Sequence, residues 1–224
     1  MATLKNKVIV ITGAAGRLGR HLVQRFAEEG AVIAAVVRDD EEARSIPFPE
    51  NAEGWAFPVD VTDEELVKAC FRQIGDQFSS IDAVVHTVGG WESRPLAETS
   101  LEAWNNVMTL NLTSAFLCFR EALPLMKAGG RLIGMSSGQG ADGGRAEQAA
   151  YSAAKAGIVR LVEAVTEEYR GTGITAHAVA PSMILFDGDG EGVSVHDIVE
   201  ICRSIIAETG NALNGATIKA YGSA

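Results

Sequence analysis

Short runs of apolar residues alternate along the chain with longer stretches in which apolar positions recur at helical spacing. The runs fall at 8–12, 31–37, 55–57, 83–86, 131–135, 175–180 and 216–220. Several carry no polar alternation, the pattern of parallel strands covered on both faces. Helical stretches lie between them at 18–29, 63–78, 101–127, 147–169 and 195–208. Thr62 with Glu65, and Thr99 with Glu102, have capping-box spacing and predict two helix starts. Gly30, Gly129 with Gly130, and Gly171 with Gly173 fall where helices are expected to stop. No repeat or low-complexity linker divides the chain. The alternation predicts a single α/β domain over residues 1–224: a Rossmann-type, doubly wound, seven-stranded and mainly parallel sheet with helices on both faces.

Composition narrows the partners. The 224 residues are 47% hydrophobic and 21% charged, ordinary globular usage that excludes a disordered, collagen-like or disulfide-stapled chain. The longest apolar run, 31–37, is far short of the roughly 20 residues a membrane helix needs. The opening MATLKNKVIVITGAAG places lysines before only four apolar residues that run into a glycine-rich turn, which reads as a strand and not an export signal. Nineteen Lys and Arg against 29 Asp and Glu leave a net charge of −10, with no basic cluster for nucleic acid. That field also opposes acidic partners, carrier proteins included. Cys70, Cys118 and Cys202 form no CxxC pair, and no HExxH or Cys/His cluster suggests a metal. Free thiols fit a reducing, cytoplasmic setting.

The candidate chemistry lies at the expected strand ends. TGAAGRLG, residues 12–19, follows the first strand and opens the first helix. Gly13, Gly16 and Gly19 allow a tight turn, close approach to a pyrophosphate, and helix–strand packing, while the helix N-terminus attracts the phosphates. Taken alone, such glycines also fit a plain tight turn; the strand–turn–helix context favours a dinucleotide. The second strand ends at Val37 and Arg38, and Arg38, with Arg17 in the turn, offers cations for a ribose 2′-phosphate. Asp39 offers the competing reading, a carboxylate for a free 2′-hydroxyl; NADP(H) is favoured over NAD(H). Asp60, in VDVTD, suits an adenine amino group or a helix cap equally.

Tyr151 and Lys155 stand one helical turn apart in AAYSAAKAG. A free phenol has a pKa of about 10, and a neighbouring ammonium is expected to draw it toward neutral pH. Ser137, with Ser136 as competitor, closes the fifth strand, where alternation aims only one of them at the site. Asn111 lies within an apolar helical stretch, so its amide must be hydrogen-bonded, in the core or in a site.

In this order, TGAAGRLG, Asp60 with Val61, Asn111, Ser137, and Tyr151 followed by Lys155 resemble the short-chain dehydrogenase/reductase family over essentially the whole chain. The resemblance implies NAD(P)(H)-dependent interconversion of a carbonyl and a secondary alcohol. Tyr151 would be the general acid/base. Lys155 would lower its pKa and hold the nicotinamide ribose, Ser137 would bind the reacting oxygen, and Asn111 would hold a water that relays protons to Lys155. It assigns the dinucleotide to Gly13, Ala15, Gly16, Arg17, Leu18, Gly19, Arg38, Asp60, Val61, Thr87, Val88, Gly89, Tyr151, Lys155, Pro181, Ser182 and Ile184. It further implies a homo-oligomer, a dimer or homotetramer, paired through helices 101–127 and 147–169. Rival readings are a pteridine or quinonoid reductase and a non-catalytic NADP sensor.

Departures from the family pattern set further expectations. The turn reads GxxGxxG where the family has GxxxGxG, with Arg17 at a usual glycine. His86, Thr87, Val88 and Gly89 replace the family's NNAG, which removes the asparagine bonds that brace neighbouring strands. Phe186 stands where a threonine would bond the carboxamide. The usual helical lid is reduced to about ten residues, 187–196, rich in Gly and Asp and expected to be flexible and open.

Overall fold

The apolar runs become the strands of one sheet in the computed structural model, which describes residues 3–188 and 190–222. In chain order the elements are β1 (Val8–Thr12), α1 (Arg17–Glu28), β2 (Val32–Val37), α2 (Asp40–Arg44), β3 (Gly54–Pro58), α3 (Glu64–Phe78) and β4 (Ile81–His86). There follow α4 (Leu101–Met108), α5 (Ser114–Ala122), β5 (Met126–Met135), α6 (Gly138–Ala141), α7 (Ala149–Glu168) and β6 (Thr175–Pro181). The chain closes with β7 (Ile184–Leu185), β8 (Val193–Ser194), α8 (Val195–Ala207) and β9 (Thr217–Ala220).

Seven strands pair in the order β3-β2-β1-β4-β5-β6-β9, every pair parallel. Successive strand residues bury on opposite faces, so both phases must be apolar. On one face Ile9, Ile11 and Ile33 pack with Leu22 and Phe26 of α1 and Ile198 and Ile205 of α8. On the other, Val10, Val84 and Leu132 meet Phe71 and Ile74 of α3, Phe119 of α5, and Ile158 and Val162 of α7. The chain winds outward from β1 to β3, then restarts at β4 beside β1. The crevice for a ligand opens at that reversal, beyond the strands' carboxyl ends.

Several boundaries differ from expectation. The helical stretch at 101–127 is broken: a five-residue π-helical turn, Thr109–Thr113, joins α4 to α5, and β5 begins at Met126. Gly129, read as a helix stop, instead lies inside β5 with φ +97°, where the register against β4 shifts. The capping frames move by one residue. Asp63 accepts from the Leu66 N–H at 3.0 Å and Ser100 from the Ala103 N–H at 3.1 Å, because each stands three residues before a free first-turn amide. The segment after β6 is partly ordered: β7 and β8 form their own parallel ladder, Val193 is buried, and Ser194 caps α8. Within the expected open segment, Asp189 lies outside the described residues.

Candidate active site

The turn after β1 is built for an approaching anion. Gly13 takes φ +72°, and a Cβ there would meet Thr87 Oγ1 at 2.8 Å. A Cβ on Gly19 would lie 2.2 Å from the Gly13 carbonyl, so the start of α1 can sit this close only as glycine. Gly16 caps α1 without a side-chain hydrogen bond, and no acid stands in the first turn. By contrast, α2, α3, α4, α6 and α8 are each capped by an Asp or Ser side chain. The free first-turn amides of α1 therefore face the crevice with the helix's positive end, a fit for pyrophosphate oxygens.

A cavity of about 460 Å³ runs from this turn to the end of β2. Gly13, Gly16, Arg17, Leu18, Gly19, Arg38, Asp60, Val61, Thr87, Val88 and Gly89 all line it, together with Glu42 and Phe186. Ala15 does not; its carbonyl accepts from Arg20 Nε at 2.8 Å. Arg38 is held by Asp39 (3.2 Å) and Glu42 (3.0 Å). Asp39 does not turn inward for a ribose, since its Oδ1 caps α2 through the Glu42 N–H. Arg17 stacks over the Phe186 ring at 3.9 Å and pairs with Asp187 at 3.3 Å. Asp60 accepts from the Thr62 amide and hydroxyl at 2.9 and 2.7 Å in a local turn; it is not the expected helix cap, since Asp63 caps α3.

The lost asparagine brace is replaced. Thr87 Oγ1 donates to the Thr12 carbonyl at 2.7 Å, tying β4 to β1. His86 is buried between Thr12 Oγ1 (2.8 Å, at Nδ1) and Ser114 Oγ (3.2 Å, at Nε2). Ser114 spends its proton on the Leu110 carbonyl, so Nε2–H donates to Ser114 and Nδ1 accepts from Thr12. Burial, reinforced by nearby Lys155, pushes the imidazole down to about 3, so it stays neutral.

A second cavity, of about 930 Å³, adjoins the first through Leu18, Thr87 and Gly89. Ser137, Tyr151, Lys155, Pro181, Ser182 and Ile184 line it. Strand alternation resolves the serine competition. Ser136 Oγ donates to the Lys155 carbonyl at 2.8 Å, whereas Ser137 accepts from the Gly140 N–H at 3.3 Å and lines the cavity with Tyr151. Lys155 is buried with Nζ on the Met135 carbonyl at 3.0 Å, and burial lowers it to about 8. Its Nζ lies 5.7 Å from the Tyr151 ring centroid. The expected lowering of the phenol is therefore not what this geometry gives. Burial raises Tyr151, the nearby Ser137 hydroxyl offsets part of that, and the ammonium is turned toward the Met135 carbonyl.

Asn111 sits in the π-helical turn, a distortion common at functional sites. Its amide is spent on backbone: Nδ2 donates to the Gly90 and Val107 carbonyls, both at 3.0 Å, and Oδ1 accepts from the Gly90 N–H at 3.1 Å. A Cβ on Gly89 would stand 2.6 Å from Asn111 Oδ1 and 3.0 Å from Lys155 Nζ, so these groups share one niche. Sequence reasoning missed Asp142, Arg145, Glu191 and Tyr221, which also line the larger cavity. For Tyr221 a signal existed, its place just past the carboxyl end of the last strand.

A doubly wound parallel sheet with an anion cradle at its reversal, beside a Ser–Tyr–Lys group on a cavity wall, belongs to the class of dinucleotide-binding α/β proteins. The family model described as short chain dehydrogenase matches residues 7–191, and the chain belongs to that family, as an oxidoreductase. It is 34% identical over 187 residues to the 3beta-hydroxysteroid dehydrogenase of Mediterraneibacter gnavus, covering 81% of this chain and 67% of that protein. It is 37% identical over 183 residues to the cis-4-hydroxycyclohexanecarboxylate dehydrogenase of Sinomonas cyclohexanicum, covering 78% and 72%. Among solved structures, a putative dehydrogenase from Burkholderia cenocepacia with bound NADP superposes with a TM-score of 0.87 at 25% identity, covering 99% of this chain and 94% of that one. A dehydrogenase/reductase from Sinorhizobium meliloti shares the fold with a TM-score of 0.90 at 24% identity, covering 98% and 95%. Family members use NAD(P), and the uncapped α1 with its close glycine approaches fits that group.

Proposed function

We propose that the chain interconverts a carbonyl and a secondary alcohol with NADP(H), Tyr151 passing the proton. The observation that carries this is the grouping of Ser137, Tyr151 and Lys155 on the wall of a cavity continuous with the anion cradle. When bound, the dinucleotide supplies or takes the hydride at its nicotinamide ring. The chain's part is positional and protic. Ser137 holds the substrate oxygen, Tyr151 donates its proton to that oxygen, and the Lys155 ammonium keeps positive charge in the same niche. A phenol raised by burial is protonated at neutral pH, which suits it to act as the acid in reduction. Asn111 acts by clamping Gly90, next to the Gly89 that abuts Lys155.

Arg38 in the dinucleotide cavity, with Asp39 occupied as a helix cap, supports NADP(H) over NAD(H). The relatives' names, a hydroxysteroid and a hydroxycyclohexanecarboxylate, share a ring alcohol. This supports carbonyl chemistry over pteridine or quinonoid reduction and over sensing without turnover. The same reading extends to a cytoplasmic homo-oligomer. Buried free thiols, with Cys70 and Cys202 pushed up to about 12, fit a reducing compartment.

The test is NADPH oxidation against a panel of cyclic ketones, diketones and quinones, with Tyr151→Phe alongside. Loss of the phenol oxygen should lower kcat by about 10²-fold or more while NADPH binding persists. A variant as fast as the parent, or a parent that binds NADPH and turns over nothing, would overturn the reading.

A further inference from the structure

We infer that Arg145 determines specificity in the larger cavity by binding a carboxylate, or a similar planar anion, on the substrate. The inference rests on the carbonyl–alcohol reading and adds the substrate's charge. Three arginines line the two cavities. Arg17 and Arg38, on the dinucleotide side, are both paired with acids. Arg145, on the substrate side, has no side-chain partner among the described residues, in a chain whose acids exceed its bases by ten.

Its neighbours explain why. Asp142, three residues before it, has both oxygens engaged, Oδ1 by Lys219 Nζ and Oδ2 by the Tyr221 hydroxyl, each at 2.5 Å. Glu147, two residues after it, accepts from Ser93 Oγ at 3.4 Å. The backbone of Arg145 is nonetheless anchored: its N–H donates to Ser152 Oγ at 3.4 Å and its carbonyl accepts from the Gln148 N–H at 3.2 Å. An exposed guanidinium with free donors on an anchored backbone, on the wall that also carries Tyr151, matches a carboxylate in a forked pair. The remaining unpaired carboxylate of the cavity, Glu191, stands on the segment between β7 and β8. Apolar Trp91, Met183 and Ile184 line the same cavity, so the body of the substrate is apolar and the anion sits at one end.

The test compares 3-oxocyclohexanecarboxylate with its neutral carboxamide for the parent, Arg145→Gln, Arg145→Lys and Glu191→Gln. Arg145→Gln should raise KM for the acid about tenfold and leave the carboxamide unchanged, with Arg145→Lys between. A second arm measures binding of unreactive cyclohexanecarboxylate to the NADP⁺-loaded protein by calorimetry, where the same tenfold loss is expected. Turnover of neither ketone with intact carboxylate binding removes the carbonyl reading and keeps the anion site. Equal losses for acid and carboxamide, mirrored in Glu191→Gln, overturn the inference and make Arg145 a partner of Glu191. Unchanged carboxylate binding in Arg145→Gln overturns it as well.

Discussion

Lys155 is a buried cation at the wall of the larger cavity. Its ammonium is buried on a single carbonyl, and burial alone lowers it to about 8. A base depressed in the folded state is less protonated there than in the unfolded chain between about 8 and its ordinary 10.5. Stability therefore rises with pH through that window and is at its lowest below it. The same value predicts the reaction's pH dependence. Reductive kcat/KM should be level at neutral pH and fall through an alkaline limb near pH 8, where Lys155 loses its charge while Tyr151 remains protonated. In Lys155→Arg, slower but permanently charged, the limb should move to higher pH. A limb at the same pH in that variant would assign it to another group. Tyr151→Phe should change stability little, because the phenol oxygen has no hydrogen bond to backbone among the described residues and faces the cavity.

At the scale of elements, α1 gives up a cap that five other helices have. Gly16 has φ −67° and ψ 166°, a backbone that any residue adopts, and a Cβ there would meet only the Gly13 carbonyl, at 3.1 Å. Gly16→Asp should cap α1 and raise the unfolding free energy of the ligand-free protein by about 0.5 kcal/mol. The same carboxylate would occupy the amides meant for pyrophosphate, so NADPH affinity, read by fluorescence titration, should fall at least about tenfold. Unchanged affinity would mean the phosphates sit elsewhere. This turn, and the Tyr–Lys pair, are legible in the sequence because each is local: three glycines within one turn, two side chains one helical turn apart. The strands are equally legible, since burial on both faces demands unbroken apolar runs. What is not legible depends on distant partners. The π-helical turn at Thr109–Thr113 keeps the apolar pattern of a continuous helix, yet it turns Asn111 onto Gly90, 21 residues away. Asp142 meets Tyr221 across 79 residues. The raised phenol of Tyr151 follows from burial and from where Lys155 points, neither of which spacing encodes.

For the whole molecule, the sheet buries its apolar runs, but the helical stack from α4 to α5 leaves Leu101, Leu110 and Phe116 exposed, Leu101 by 74%. The Arg120 guanidinium lies over the Phe116 ring, 5.2 Å from its centroid. Single exposed apolar residues are ordinary, whereas several on one helical stack suit contact with another surface. This stack also packs on α7, the helix that carries Tyr151 and Lys155. A second copy seated on Leu101 and Phe116 would hold this helix beside the dinucleotide cavity, which Leu110 lines, and the net charge of −10 must be overcome by apolar area. Sedimentation at low micromolar concentration should show a dimer or larger species that persists at high salt. Phe116→Glu places a carboxylate in that contact and should shift the distribution toward monomer, with kcat falling as the species dissociates. A parent that sediments as monomer alone would leave these residues as plain surface and remove the assembly from the proposal, while the chemistry of Tyr151, Ser137 and Lys155 would stand within one chain.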